Sequence, residues 1–72
     1  MPMPDMRPVS SSNIAAVGYD ADNETVYVQF LNGSTYAYKG VPEHEFESLR
    51  SAQSVGSYLN RNYKNVYPYE RA

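Results

Sequence analysis

The chain has 72 residues, a formal net charge of −2 and no cysteine. That length allows one domain near the lower limit for a self-supporting core, and without thiols it has neither a disulfide nor a thiolate-held metal to staple it. The charge argues against strong non-specific binding to a polyanion, and eight tyrosines without a tryptophan supply rings that suit a half-buried face or a binding surface equally well.

Residues 1–8 carry prolines at positions 2, 4 and 8 and no periodicity, and are expected to form a flexible tail ahead of a single domain over residues 9–72. The opening Met-Pro-Met-Pro-Asp-Met-Arg-Pro lacks the apolar core of a targeting signal, and nothing approaches a membrane span, so a cytoplasmic protein with no membrane partner is expected. A polar turn at residues 10–13 leads into Ile14 to Tyr19, an apolar run with a small-residue middle (Ala15, Ala16, Gly18) that reads as a closely packed first strand. Residues 20–23, Asp-Ala-Asp-Asn, form a loop of turn formers; their spacing lacks the glycine and distal glutamate of a calcium loop, so no metal is expected there.

Glu24 to Tyr38 is the organising stretch: two apolar-alternating runs around Asn32-Gly33, a strong hairpin signal. A two-residue turn would put Tyr36 and Tyr38 opposite Val26, Val28 and Phe30. A three-residue turn with Gly33 in the left-handed region pairs Phe30 with Ser34 and places Val26, Val28, Phe30, Tyr36 and Tyr38 on one face. A one-residue slip turns every side chain over, so the apolar pattern selects the second register. Tyr27, Gln29, Leu31 and Ala37 then occupy the other face, as ordinary surface or as an association patch, and a homodimer would bury more of so thin a domain.

Lys39-Gly-Val-Pro42 ends the sheet. Pro42 and the acids Glu43, Glu45 and Glu47 predict a helix start, with Val41, Phe46, Leu49 and Ala52 as its apolar side. Ser54 is a suitable N-cap for a second helix from Val55 to about Lys64. Val55, Leu59 and Tyr63 recur at four-residue spacing and should face the sheet, with Tyr58, Arg61 and Asn62 towards the flank. Asn65 ends that helix, and Tyr67-Pro-Tyr69 reads as an extended tail. The expected fold is therefore α+β: a three-stranded antiparallel meander followed by two short C-terminal helices packed on one face.

Several local patterns line up in order: Ser11-Ser-Asn-Ile14, Gly18-Tyr-Asp20, Phe30-x-x-Gly33, Tyr36-x-Tyr38, Val41-Pro42, Ala52-x-Ser54-x-Gly56-x-Tyr58-x-Asn60 and Tyr67-Pro68. Over roughly residues 9–69 this closely resembles the KTSC family, small domains named after the C-terminal domain of some lysyl-tRNA synthetases and also found as stand-alone bacterial and phage-type proteins. The resemblance implies RNA binding by way of the synthetase association and carries over no catalytic residues.

The residues themselves indicate no more than a small binding-type domain. The one histidine, His44, has no nucleophile or carboxylate partner recognisable from spacing, and no phosphate-binding glycine loop occurs, so an enzyme and a cofactor are not expected. The constellation that remains is the start of the second helix. Ser54, Gly56 and Ser57 offer a cap, room for a ligand and free N–H groups. Arg50 and Arg61 offer charge, Tyr58 a stacking ring and Asn60 a base-edge partner. A structural reading stands beside it: Ser54 caps the helix, Gly56 lets it pack closely, and Tyr58 and Asn60 bond within the fold. Tyr36 and Tyr38 likewise could stack on bases, though their shared face with valines favours core. The expected function is a small non-enzymatic domain that binds RNA or a nucleotide, with a protein-interaction or oligomerisation module as the alternative.

Overall fold

In a computed structural model, which describes residues 4–72, the chain order is β1 (Arg7–Pro8), β2 (Ile14–Asp20), β3 (Thr25–Phe30), β4 (Thr35–Tyr38), α1 (Glu43–Ser51), α2 (Val55–Asn62) and β5 (Tyr69–Arg71). The strands form one antiparallel five-stranded sheet in the order β1-β2-β3-β4-β5. The class is α+β as expected, but the sheet has two more strands than the sequence suggested. Both additions are short edge strands taken from segments read as tails. Part of the expected tail, residues 1–3, lies outside the described residues, but Arg7 and Pro8 pair with Val17 and Ala16. Ahead of them the chain lies close against β2, where a Cβ on Gly18 would stand 2.9 Å from the Asp5 carbonyl oxygen. At the other end Tyr69 pairs with Tyr38 and Arg71 with Tyr36. Backbone bonds from Lys39 to Pro68 and from Ala72 to Thr35, both 2.8 Å, extend that pairing, and an exposed ion pair of 2.9 Å joins Lys39 to Glu70.

The central hairpin has the register that the apolar pattern selects. Val26 faces Tyr38 and Val28 faces Tyr36. The Phe30 N–H donates to the Ser34 carbonyl at 2.8 Å, and Gly33 closes the turn with φ of 94°. In β2, Ile14 and Val17 are both buried on the core face although they are three apart. A bulge between Ile14 and Ala16 makes this feasible, because an extra residue resets the alternation.

The core lies between this face and the helices. Val17, Val26, Val28 and Tyr38 meet Val41, Phe46, Leu49, Val55, Leu59 and Tyr63. Pro42 sits at the N-cap of α1 in extended backbone, one position earlier than the first helical residue expected of it. Glu43 and Glu45 in the first turn and Arg50 in the last complement the helix dipole. In α2 the Ser54 side chain accepts from the Ser57 N–H. That helix stops at Asn62, and Asn65 turns the chain with φ of 68°.

Two tyrosine hydroxyls tie elements together. Tyr19, stacked on Phe46 with ring centroids 5.2 Å apart, donates to the Val41 carbonyl at 2.7 Å. Tyr63, fully buried, donates to the Glu45 carbonyl at 3.0 Å and so joins α2 to α1. Burial, with the Glu45 carboxylate nearby, pushes the Tyr63 hydroxyl far above its ordinary pKa.

Two outcomes follow from these contacts. No atom of the described residues would crowd a Cβ at Gly33, so Gly33→Ala should cost only the strain of positive φ, about 1 kcal/mol, read from chemical denaturation. Because Tyr63 holds its proton in the folded state, the unfolded chain releases that proton first as pH rises. Stability should be unaffected by this group at neutral pH and fall above about pH 10. Tyr63→Phe should flatten that alkaline slope while lowering neutral stability through loss of the hydrogen bond to Glu45. An unchanged slope would remove Tyr63 as its source.

Candidate nucleic-acid interface

The helices do not cover the whole core face of the sheet. Towards the hairpin end, the register lines up Phe30 on β3, Tyr36 and Tyr38 on β4 and Tyr69 on β5. Their rings interlock edge to face or tilted. Phe30 meets Tyr36 at 5.7 Å, Tyr36 meets Tyr69 at 5.7 Å, and Tyr69 meets Tyr38 at 5.3 Å. Edge-to-face contacts satisfy the ring quadrupoles and leave part of the stripe open. Phe30 and Tyr36 are half-buried, and Tyr69 is 55% exposed.

A cleft of about 260 Å³ runs between this stripe and α2. Gly56 and Asn60, one helical turn apart, form its helix side with Leu59, and Lys64 lies just beyond the helix end. Asn13, in the connection from β1 to β2, closes one end. The Leu31 N–H donates to its backbone carbonyl at 2.9 Å, which pins that connection to the hairpin. The cleft thus combines aromatic rings, two carboxamides and one ammonium, with no carboxylate in its lining. Burial, together with the neighbouring Tyr69 and Tyr36 hydroxyls, raises the Tyr38 hydroxyl, so that group stays a neutral donor at physiological pH. The register also places Arg71 opposite Tyr36 at the outer margin.

The residues singled out at the α2 start divide between several roles. Gly56 and Asn60 line the cleft. Ser54 and Ser57 bond to each other, at 3.0 Å between hydroxyls and 3.3 Å from the Ser57 N–H, as a helix cap. Tyr58 donates to the Glu45 carboxylate at 2.6 Å across the two helices. Arg50 pairs with Glu47 and borders a separate hollow of about 390 Å³ with Arg7. Arg61 is exposed and lines neither. Gly56 does allow a close approach, but what approaches is Asn13: a Cβ at position 56 would stand 2.7 Å from its Oδ1.

Sequence reading did not single out Asn13, Phe30, Leu59, Lys64 and Tyr69 for a ligand, although they line the cleft, and it favoured core over base stacking for Tyr36 and Tyr38, of which Tyr38 is buried and Tyr36 half-buried. The available signal was the alternation that put both tyrosines and Phe30 on one face. What it could not give was how far along that face the helices reach.

A family model of the KTSC domain matches residues 10–67. This chain belongs to the KTSC domain family. A protein of Tsukamurella paurometabola is 42% identical over 55 residues, which are 76% of this chain and 82% of the relative. An uncharacterized protein of Stutzerimonas stutzeri is 32% identical over 56 residues, 78% and 79% of the two chains. The crystal structure of a KTSC domain protein from Yersinia pestis superposes with a TM-score of 0.88 at 38% identity, over 94% of this chain and 96% of that one.

Within this KTSC domain Tyr58 ties α2 to α1 through the Glu45 carboxylate. Its hydrogen bond to Glu45, with some desolvation, raises its pKa. Tyr58→Phe should lower stability by about 1 kcal/mol, the scale of one such bond, and leave ligand titrations unchanged. Loss of binding without loss of stability would return Tyr58 to the site.

Proposed function

We propose that this KTSC domain is a non-enzymatic binding module whose aromatic cleft takes RNA or a nucleotide. The observation that carries this reading is the open ring stripe set against Asn13, Asn60 and Lys64. Unpaired bases are held by stacking on aromatic side chains, by hydrogen bonds to their edges and by cations at the phosphate. The lining supplies one residue class for each contact. The cleft also falls just below the usual size range of small-ligand sites, which fits a base better than a larger ligand.

The negative net charge does not oppose this reading, because the attraction needed is local. Lys64 borders the cleft and Arg71 its margin, whereas the acids are concentrated between Asp5 and Glu47 and only Glu70 lies beyond. Affinity should accordingly be moderate and salt-sensitive. The chemistry supports recognition rather than turnover, since rings, carboxamides and one ammonium offer no paired acid and base. Leu31 and Val66, 61% and 60% exposed, support the alternative of a protein-interaction or oligomerisation module.

RNA oligonucleotides and a nucleotide panel titrated at low salt test the reading. Tyr69→Ala should weaken binding by about 1–3 kcal/mol, the scale of one stacked base. Lys64→Ala should weaken all sequences alike and lower the salt slope by about one unit. Arg61→Ala should have little effect. Binding to none of the ligands, together with concentration-dependent sedimentation, would favour the association module instead.

A further inference from the structure

We propose that the hollow lined by Arg7 and Arg50 holds a backbone phosphate of an RNA strand whose base lies in the aromatic cleft, so that the ligand is a strand rather than a free nucleotide. This rests on the reading of the cleft as a nucleobase site. The two hollows flank one ridge. Asn13 and Gly56 line the cleft, and Ser10 and Val55, from the same two segments, line the hollow of about 390 Å³. The ridge is the contact between the β1–β2 connection and the start of α2: a Cβ at position 56 would stand 2.7 Å from Asn13 Oδ1 and 3.6 Å from Ser11 Oγ. It is held in place on the sheet side. The Ser11 hydroxyl accepts the Ile14 N–H at 3.2 Å, and the Asn13 carbonyl accepts the Leu31 N–H at 2.9 Å. From Ser10 to Asn13 the chain spans no more than about 11 Å, a distance that a short oligonucleotide crosses.

Across the ridge the chemistry changes from rings to cations. Arg7 comes from β1 and Arg50 from the last turn of α1. Ser10 and Gln53 add polar lining, and no carboxylate borders the hollow. Arg7 makes no ion pair among the described residues. Arg50 meets Glu47 through a single nitrogen, Nη2, which leaves other N–H donors of its guanidinium. An exposed pair of this kind also contributes little, so it is readily given up. Guanidinium groups hold phosphate through paired N–H donors. Two of them on separate elements form a site for the backbone of a strand, while stacking in the cleft holds its base. With Lys64 lining the cleft beyond the end of α2, cations stand at both ends of that path.

The test is titration of the whole chain at low salt with UMP, diuridylate, tetrauridylate and hexauridylate. Affinity should rise about tenfold, beyond the statistical gain from extra bases, once the strand is long enough to cross the ridge. Arg7→Gln and Arg50→Gln should each remove most of that rise and make the salt slope for hexauridylate shallower by about 0.7, while UMP binds both variants as it binds wild type. Both residues are exposed, and thermal denaturation checks that the variants remain folded. Tyr69→Ala, which acts in the cleft, should weaken all four ligands. Affinity independent of length, or a rise that survives either arginine variant, overturns the phosphate site while the response to Tyr69→Ala still reports the cleft. Equal displacement of hexauridylate by a hexaglutamate peptide assigns the hollow to an acidic protein segment and likewise overturns it. No binding of any of the four ligands overturns both readings.

Discussion

The closure of α2 onto the sheet depends on Tyr63. It is a large side chain with no exposed surface, its ring edge-on to Tyr38 at 5.7 Å and tilted against Tyr58 and Tyr67. Buried rings pack in preferred orientations, and a buried hydroxyl must find an acceptor. The Glu45 carbonyl meets that need from α1. One residue therefore fixes the distance from α2 to the sheet and the position of α1 beside it. The Tyr58 bond to the Glu45 carboxylate repeats the tie on the flank. In a chain with no disulfide, such clasps between short helices replace a covalent staple, since α1 and α2 are only nine and eight residues long and such helices are marginal alone.

The same arrangement explains why a cleft remains. With Tyr63 and Leu59 seated near Tyr38, α2 covers the middle of the sheet face and stops short of Phe30, Tyr36 and Tyr69. The rings at that end pack against one another. The open stripe follows from two short helices covering a sheet that β5 has widened. β5 also completes the stripe: without the pairing of Tyr69 to Tyr38, β4 would be an edge strand and the cleft would lose one wall.

The sequence disclosed what periodic burial controls. The hairpin register, the left-handed Gly33, the buried Val55, Leu59 and Tyr63 and the cap at Ser54 were each legible, because each follows from spacing or from one turn's chemistry. β1 and β5 were not. Their residues are exposed, so no alternation marks them, and a proline that reads as a break lies in β1 (Pro8) and just before β5 (Pro68). Their pairing is decided by the free edges of β2 and β4, which are tertiary facts. The lining of the cleft was half legible for the same reason. Gly56 and Asn60 stand out at helical spacing on one element, whereas Asn13, Phe30 and Tyr69 come from three others.

The two arginines expected beside the α2 start lie outside the cleft lining. Arg50 and Arg61 were chosen as cations near the α2 start in sequence. In space, an arginine with an acid at i−3 turns to it, as Arg50 does to Glu47, and Arg61 is exposed and lines neither hollow. The cation that lines the cleft is one helical turn beyond Asn60, where the chain has left the helix and bends at Asn65. Lys64 is set there by the αL turn and by its N–H bond to the Leu59 carbonyl at 3.0 Å. Position on the helix face, and not nearness to the helix start, decides which charge a ligand in the cleft would meet. That face is the one whose next residue inward, Tyr63, is locked in the core.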